Sequence, residues 1–329
     1  MLPVFVVGGS GERRAADPGR MDPDSEALTF SRDVLARGED PRELARAVAR
    51  GRLVRVRRGA YLPAARWQRL GETERYTLTI LAAIGSGRVD PVISHISAAV
   101  LWGAPVIGPM PKLVHMLATE AAGTRTEHGC RKHATRHHDD LEVRGGLRMT
   151  SLVRTLADVA VDCPFVTAVG ILDWAFAEHG LSAEAVLEHL RLLGVSRGLR
   201  RAERAIRFAD GRSGSPGESL SRVRMHEAGL PAPELQHEFR DSAGLIGIVD
   251  FWWPEFDLVG EFDGVAKYVR EEFRAGRDIA DIVIAEKRRE DRIRALGPRF
   301  ARWGWDTAWP PYRLAAVLRE AGLPATRRV

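Results

Sequence analysis

The stretch VDFWWPEFDLVGEFDG, residues 249–264, constrains the fold more than any other part of the chain. Apolar residues alternate on both sides of positions 254–257. That pattern predicts two strands joined by a tight turn, and therefore an antiparallel pair. Strand side chains point alternately to opposite faces. Ile248, Asp250 and Trp252 then share one face of the first strand, and Val259, Glu261 and Asp263 share one face of the second. Carboxylates gathered on a half-buried sheet repel one another and lose hydration. A divalent cation with oxygen ligands removes that cost. Mg²⁺ suits the pattern, because it takes one or two protein carboxylates and fills its other positions with water and phosphate oxygens. Asp250, Glu261 and Asp263 are the expected ligands. A metal held there would polarise a phosphodiester oxygen and acidify its own water. Two plainer readings stand beside this one. Asp263-Gly264 is a good turn pair, and Glu261 could pair with an arginine of the long helix that follows.

The surroundings of this strand pair have a definite order. ESLSRVRMHEAG reads as a helix, ELQHEFR and LIGIVDFWW as strands joined by a DSAG turn, and LVGEFDG as a third strand. RDIADIVIAEKRREDRIRALG is a long helix, RFARWGWD a fourth strand and PYRLAAVLREAG a closing helix. Residues 218–329 therefore predict an αβββαβ domain with a final helix. Glu218, Asp250 and Glu261, followed by EFDGVAKY and EKRREDRIRALG, resemble the PD-(D/E)XK nuclease superfamily, in particular the branch near the very-short-patch repair endonucleases. The resemblance implies a restriction-endonuclease-like fold, with Glu218, Asp250, Glu261 and a lysine as catalytic residues. The superfamily places that lysine two residues after the second acid, where this chain has Asp263. Lys267, or Lys287 on the long helix, would have to supply the charge from a shifted position.

Residues 29–64 carry a second pattern. FSRDVLARG is a short helix ended by Gly38. DPRELARAVARG is a cleaner helix, with Asp40 as cap, Pro41 at its first position and Gly51 as its stop. Leu44, Ala47 and Val48 form its buried stripe, while Arg42, Arg46 and Arg50 recur every four residues on another face. In RLVRVRRGAYL, Val54 and Val56 alternate with Arg55 and Arg57, and Arg58-Gly59 makes a hairpin turn. Helix, helix and basic hairpin is the order of a winged helix-turn-helix. Its second helix would enter a major groove and its hairpin would lie on the phosphates. ELARAVARGRLVRVRRGAYL resembles the N-terminal domain of the AbiEi family, the antitoxins of type IV abortive-infection systems. The resemblance implies operator binding, autorepression and a nucleotidyltransferase-like toxin as partner.

Residues 65–210 predict a mostly helical middle domain with a small sheet made from KLVHMLATE and LEVRGGLRMT. SHISAAVLWGAP and RMTSLVRTLADVA are again similar to the AbiEi family. This domain would be a scaffold, a homodimer surface or a partner surface. CRKHATRHHDD collects Cys130, His133, His137, His138 and Asp139, but its spacing fits no standard zinc pattern, so it reads as a solvated basic loop. Ser94, His95 and Ser97 read as helical, with no acid nearby to complete a triad. GRSGSPG, residues 211–217, reads as a linker. Residues 1–28 read as a disordered tail in which GGSGER lacks the lysine of a phosphate loop and Met21 is an alternative start.

The expected fold class is thus α+β multidomain. Two cysteines give no disulfide framework and fit a reducing cytoplasm. No apolar run reaches the roughly 18 residues of a membrane span. A net charge of +5, carried largely by arginine, permits nucleic-acid binding. Two functions remain open: a DNA-binding autorepressor, with Arg42, Arg46 and Arg50 at the groove and Arg55, Arg57 and Arg58 on phosphates, or a Mg²⁺-dependent endonuclease delivered by the winged helix. RNA as the target is not excluded by the residues.

Overall fold

A computed structural model describes residues 28–87, 90–264 and 279–324 of the chain, with side chains from Ile284 onward in the last segment. The expectations for residues 1–27, including GGSGER and the Met21 start, and for Lys267 lie outside the described residues. Two compact units form. The first comprises the chain through Ala104, Gly108–Cys163 and Ala185–Leu199; the second comprises Pro105–Ile107, Pro164–Glu184 and the chain from Arg200 onward.

The first unit opens with β1 (Thr29–Phe30), α1 (Ser31–Ala36), α2 (Arg42–Ala49), β2 (Leu53–Arg57) and β3 (Ala60–Pro63). Helix α2 starts one residue later than the sequence places it: Pro41 is the N-cap residue, and Asp40 just outside it accepts the Arg42 backbone N–H at 2.9 Å. Leu44 and Ala47 are buried, which leaves Arg42, Arg46 and Arg50 exposed. Strands β2 and β3 pair antiparallel around Gly59, whose φ of 80° needs no side chain. Strand β1 adds to the far side of β3, completing a three-stranded sheet in the order β1-β3-β2. Then follow α3 (Ala64–Arg69), α4 (Glu72–Ser86), α5 (His95–Trp102), β4 (Val114–Thr119), β5 (Arg125–Glu127), β6 (Cys130–Thr135), β7 (Leu141–Arg144), β8 (Leu147–Thr150) and α6 (Leu152–Asp162). Strand β6 runs parallel to β4 and antiparallel to β5, while β7 and β8 form a hairpin. The CRKHATRHHDD stretch is therefore strand in its first half, where the sequence suggests a loop.

Helix α7 (Phe165–His179) opens the second unit, α8 (Ala183–Leu192) returns to the first, and α9 (Leu199–Phe208) belongs to the second. The second unit continues with α10 (Pro216–Glu227), β9 (Glu234–Asp241), β10 (Gly244–Trp253), a 3₁₀ turn at Pro254–Phe256, β11 (Leu258–Phe262), α11 (Ile279–Arg294), β12 (Arg299–Trp303), α12 (Trp305–Ala308) and α13 (Pro311–Glu320). This is the element order expected from the sequence, with the short α12 added. The sheet order is β12-β11-β10-β9, antiparallel except where β12 lies parallel to β11. One face is covered by Phe251, Trp253, Leu258 and Trp303 packing with Leu220 of α10 and Leu314 of α13. Trp252 and Val259 pack with Ile293 of α11 in a separate core. The tryptophans of the strands are core residues: Trp253 is 2% exposed. Helix α10 approaches β11 closely through Gly217, where an added Cβ would lie 2.0 Å from the Phe262 ring.

The boundaries differ from the sequence reading in two respects. Helices α7 and α9 belong to the C-terminal sheet unit, where the sequence reading assigns them to the middle domain. A buried ion pair explains this: Arg222 of α10 meets Asp173 of α7 at 2.9 Å. The other Asp173 oxygen accepts the Asp210 N–H at 2.7 Å, and Arg222 also donates to the Phe208 carbonyl at 2.8 Å. Residues 211–217 are likewise a fixed turn and not a linker, since Ser213 is buried and an added Cβ at Gly211 would touch the α7 backbone at 3.0 Å. Among the described residues no helix is long and apolar enough to cross a membrane. Removing one partner of a buried ion pair strands the other charge. Arg222→Ala is expected to destabilise the protein by about 3 kcal/mol, read as a lower urea midpoint, whereas the exposed Arg240→Ala is expected to shift it little.

Candidate functional site

The carboxylates meet as the strand register dictates. Phe251 pairs with Gly260 across β10 and β11, so one step along Asp250 stands opposite Glu261. Glu261 in turn pairs with Arg302 on β12. On the other side, Gln236 of β9 lies against Asp250 and donates to Glu218 Oε2 at 2.9 Å. A polar row of Gln236, Asp250, Glu261 and Arg302 thus crosses four strands, with Glu218 reaching it from the first turn of α10.

Each acid has a different environment. Glu218 is buried and accepts three hydrogen bonds, from Gly214 N at 2.8 Å, Ser215 Oγ at 2.8 Å and the Gln236 amide. Ser215 is also the N-cap of α10, its Oγ accepting the Glu218 N–H at 3.2 Å, so the two residues bond each other at the start of the helix. Glu261 is held by two guanidinium groups, Arg289 at Oε1 (2.5 Å) and Arg302 at Oε2 (2.6 Å). Glu286 and Glu290 of α11 share those arginines, at 2.7 Å and 3.0 Å respectively. An added Cβ at Gly247 would lie 2.8 Å from the Arg289 stem, so glycine there gives that arginine room. Asp250 accepts the backbone N–H of Phe262 at 2.8 Å. Burial, with the neighbouring charges of Glu218 and Glu261, pushes its carboxyl up to about 7. Asp263 lies past the end of β11 and is exposed; its backbone N–H bonds the Trp303 carbonyl at 2.8 Å.

The structure therefore brings Glu218, Asp250 and Glu261 together and leaves Asp263 apart. Both Glu261 oxygens face guanidinium groups, the Glu218 oxygens are filled by donors, and Asp263 faces solvent. The pairing of Glu261 with an arginine of the long helix is the plainer of its two sequence readings.

The expected DNA-facing arginines divide as well. Arg42, Arg46, Arg50, Arg55 and Arg58 are exposed, with Arg46 bonded to Glu43. Arg57 is half-buried and turned inward, donating to the His128 carbonyl at 2.7 Å and lying 3.5 Å from the Cys130 sulfur. It ties the hairpin to the loop before β6 and is not a free phosphate contact. Residues 31–64 hold nine arginines against four carboxylates. That one segment carries an excess as large as the +5 of the whole chain.

A further cluster lies in the first unit, among residues that no sequence motif groups. His95, His115 and His133 come from α5, β4 and β6. The His95 and His133 rings stack at 3.5 Å between centroids, and His133 Nε2 lies 3.0 Å from His115 Nδ1. An acid is close after all. Asp158, paired with Arg154 at 3.1 Å, lies 3.5 Å from His95 Nδ1. The same nitrogen contacts Ser94 Oγ at 3.0 Å. A triad uses the two ring nitrogens for its two partners, so this is not one. Burial pushes His95 down to about 3, and burial with His95 alongside pushes His133 down to about 2. Burial raises Asp158 to about 6.

Asp250 gives a pH signature. Its folded-state proton affinity exceeds that of a free aspartate, so the native state holds the proton between about pH 4 and 7 while the unfolded chain releases it. Its contribution to stability is complete at low pH and is lost as pH rises through 7. Asp250→Asn keeps an acceptor for the Phe262 N–H but cannot ionise. The variant is expected to gain about 2 kcal/mol relative to the parent between pH 5 and pH 8, measured by urea unfolding at both pH values.

Residues 31–64 match the family model described as "Transcriptional regulator, AbiEi antitoxin". Two proteins of Mycobacterium tuberculosis, uncharacterized protein MT2308 of strain CDC 1551 / Oshkosh and uncharacterized protein Rv2248 of strain ATCC 25618 / H37Rv, are each 37% identical over 106 residues. The match covers 29% of this chain and spans 39% of the length of those relatives. The crystal structure of the RV2827C protein from Mycobacterium tuberculosis is similar at a TM-score of 0.37 and 15% identity, covering 66% of this chain and 85% of that one. That superposition is too loose to assign a fold. The chain is thus similar to the AbiEi antitoxin regulators over its exposed arginine segment.

Proposed function

We propose that the chain is a DNA-binding transcriptional regulator of antitoxin type, in which residues 29–64 act as a winged helix-turn-helix. The observation that carries this reading is a coincidence of place: the regulator family model falls on residues 31–64, where the exposed arginines gather. Helix α2 enters a major groove with Arg42, Arg46 and Arg50, while Arg55 and Arg58 of the hairpin contact phosphates. Operator repeats would call for a homodimer. The toxin partner would be a nucleotidyltransferase-like protein, and the compartment the cytoplasm. In this reading the second unit is a restriction-endonuclease-like platform whose second acid is committed to Arg289 and Arg302.

The endonuclease reading stays as the alternative, because of Asp250. Its carboxyl is buried beside Glu218 and Glu261, an electrostatic cost that a Mg²⁺ ion relieves. Plasmid nicking with Mg²⁺ or Mn²⁺, by the parent and by Asp250→Ala, decides it. Nicking that the substitution abolishes would establish an enzyme; no nicking by either protein would leave the second unit a structural platform.

The regulator reading is tested by titrating a duplex from upstream of the chain's own reading frame at several salt concentrations. With about four phosphates neutralised, log K should fall against log salt with a slope near −3.6. Arg55→Ala with Arg58→Ala should reduce the slope by about 1.8, whereas Arg57→Ala should lower the melting temperature instead. An unchanged slope in the double variant would remove the hairpin from the interface.

A further inference from the structure

We propose that His115, His133 and Asp162 form a binding site for a single divalent transition metal, with Zn²⁺ as its first choice. The inference is independent of the regulator reading. It starts from three atoms that converge with too few protons between them. His115 Nδ1 lies 3.0 Å from His133 Nε2 and 3.7 Å from Asp162 Oδ2. The ligand atoms of the three residues all lie within 4.8 Å of one another. A tetrahedral zinc ion with bonds of about 2.0–2.1 Å sets its ligand atoms about 3.4 Å apart, and the two distances fall on either side of that spacing.

Hydrogen bonds alone satisfy this arrangement poorly. If His133 donates to His115 Nδ1, that lone pair is spent and no proton lies between Nδ1 and the Asp162 oxygen 3.7 Å away. If His115 donates to His133, its proton is spent and Asp162 gains no hydrogen bond from it. Neutral imidazole is the form that ligates metal. A cation at the centre turns all three lone pairs from a cost into bonds.

The surroundings are those of a built site. Strands β4 and β6 are parallel neighbours in register, and His115 and His133 lie on one face, two residues apart diagonally. Asp162 is the last residue of α6, where its negative charge meets the negative end of the helix dipole and a cation would compensate both. Its other oxygen faces Arg131 at 3.7 Å, leaving Oδ2 for the metal. His95 stacks on the His133 ring and fixes its plane. His95 itself sits at a φ of 53°, an uncommon conformation for a residue with a side chain. Two imidazoles and one carboxylate leave a fourth position for water, and the donor set favours Zn²⁺ over Mg²⁺. The bound ion would staple β4, β6 and the end of α6 together.

The test uses the full, tag-free chain after chelator treatment, titrated with Co²⁺ as the spectroscopic probe and then with Zn²⁺. One Co²⁺ per chain should bind with the intense visible absorption of four-coordinate cobalt, and Zn²⁺ should displace it. His133→Gln should abolish the absorption. Asp162→Asn, at a partly exposed helix end where the fold tolerates it, should weaken Co²⁺ binding at least tenfold. His137→Gln with His138→Gln should leave binding unchanged. Circular dichroism of each variant establishes that it is folded. Absence of the absorption in the parent chain, or binding of equal strength in folded Asp162→Asn, would overturn the proposal.

Discussion

Taking a carboxylate out of water costs several kcal/mol unless something replaces the lost hydration, and the C-terminal sheet does this three times within one polar row. It uses three different substitutes. Glu218 receives hydrogen bonds from its own helix cap and from Gln236. Glu261 receives two guanidinium groups. Asp250 receives a backbone N–H and, near neutrality, a proton. These solutions depend on one another. The arginines that neutralise Glu261 anchor α11 over the sheet, and the donors that satisfy Glu218 fix the turn into α10. The acid left with the least compensation is the one whose proton affinity rises.

The first unit shows the opposite arrangement. Its buried charges are paired, as in Arg154 with Asp158, but residues 31–64 leave positive charge facing water. Cations on a surface cost little to keep there and attract a polyanion over a distance set by ionic strength. Arg57 shows how closely the two regimes lie together. It follows Arg55 on the same hairpin strand, yet its guanidinium holds a carbonyl of the loop before β6. Mutating it would disturb the scaffold that presents its neighbours, so it is a poor probe of DNA contact.

What could be read from the sequence was local. Asp40-Pro41 and Gly51 bound α2, Gly59 turns the hairpin, and alternation sets the register that brings Asp250 opposite Glu261. Each of these signals lies within a few residues of the structure it determines. The rest depended on partners distant in the chain. Arg289 and Arg302 reach Glu261 across 28 and 41 residues. Asp173 finds Arg222 across 49 residues and draws α7 into the sheet unit. The His115, His133 and Asp162 cluster takes one residue from each of three elements, so no spacing rule could reveal it; CRKHATRHHDD contains only one of the three. Asp263 was misplaced by one residue of strand length, which was enough to move it from the sheet face to solvent.

If the proposed regulator reading holds, the exposed arginines of residues 31–64 meet DNA and the carboxylate sheet stays clear of it. Hydrogen–deuterium exchange of the full chain, with and without duplex DNA, tests this directly. Slowed exchange is expected in peptides spanning residues 42–58, with unchanged exchange in those spanning 216–262. Protection confined to the sheet peptides, with the arginine segment unaffected, would contradict it.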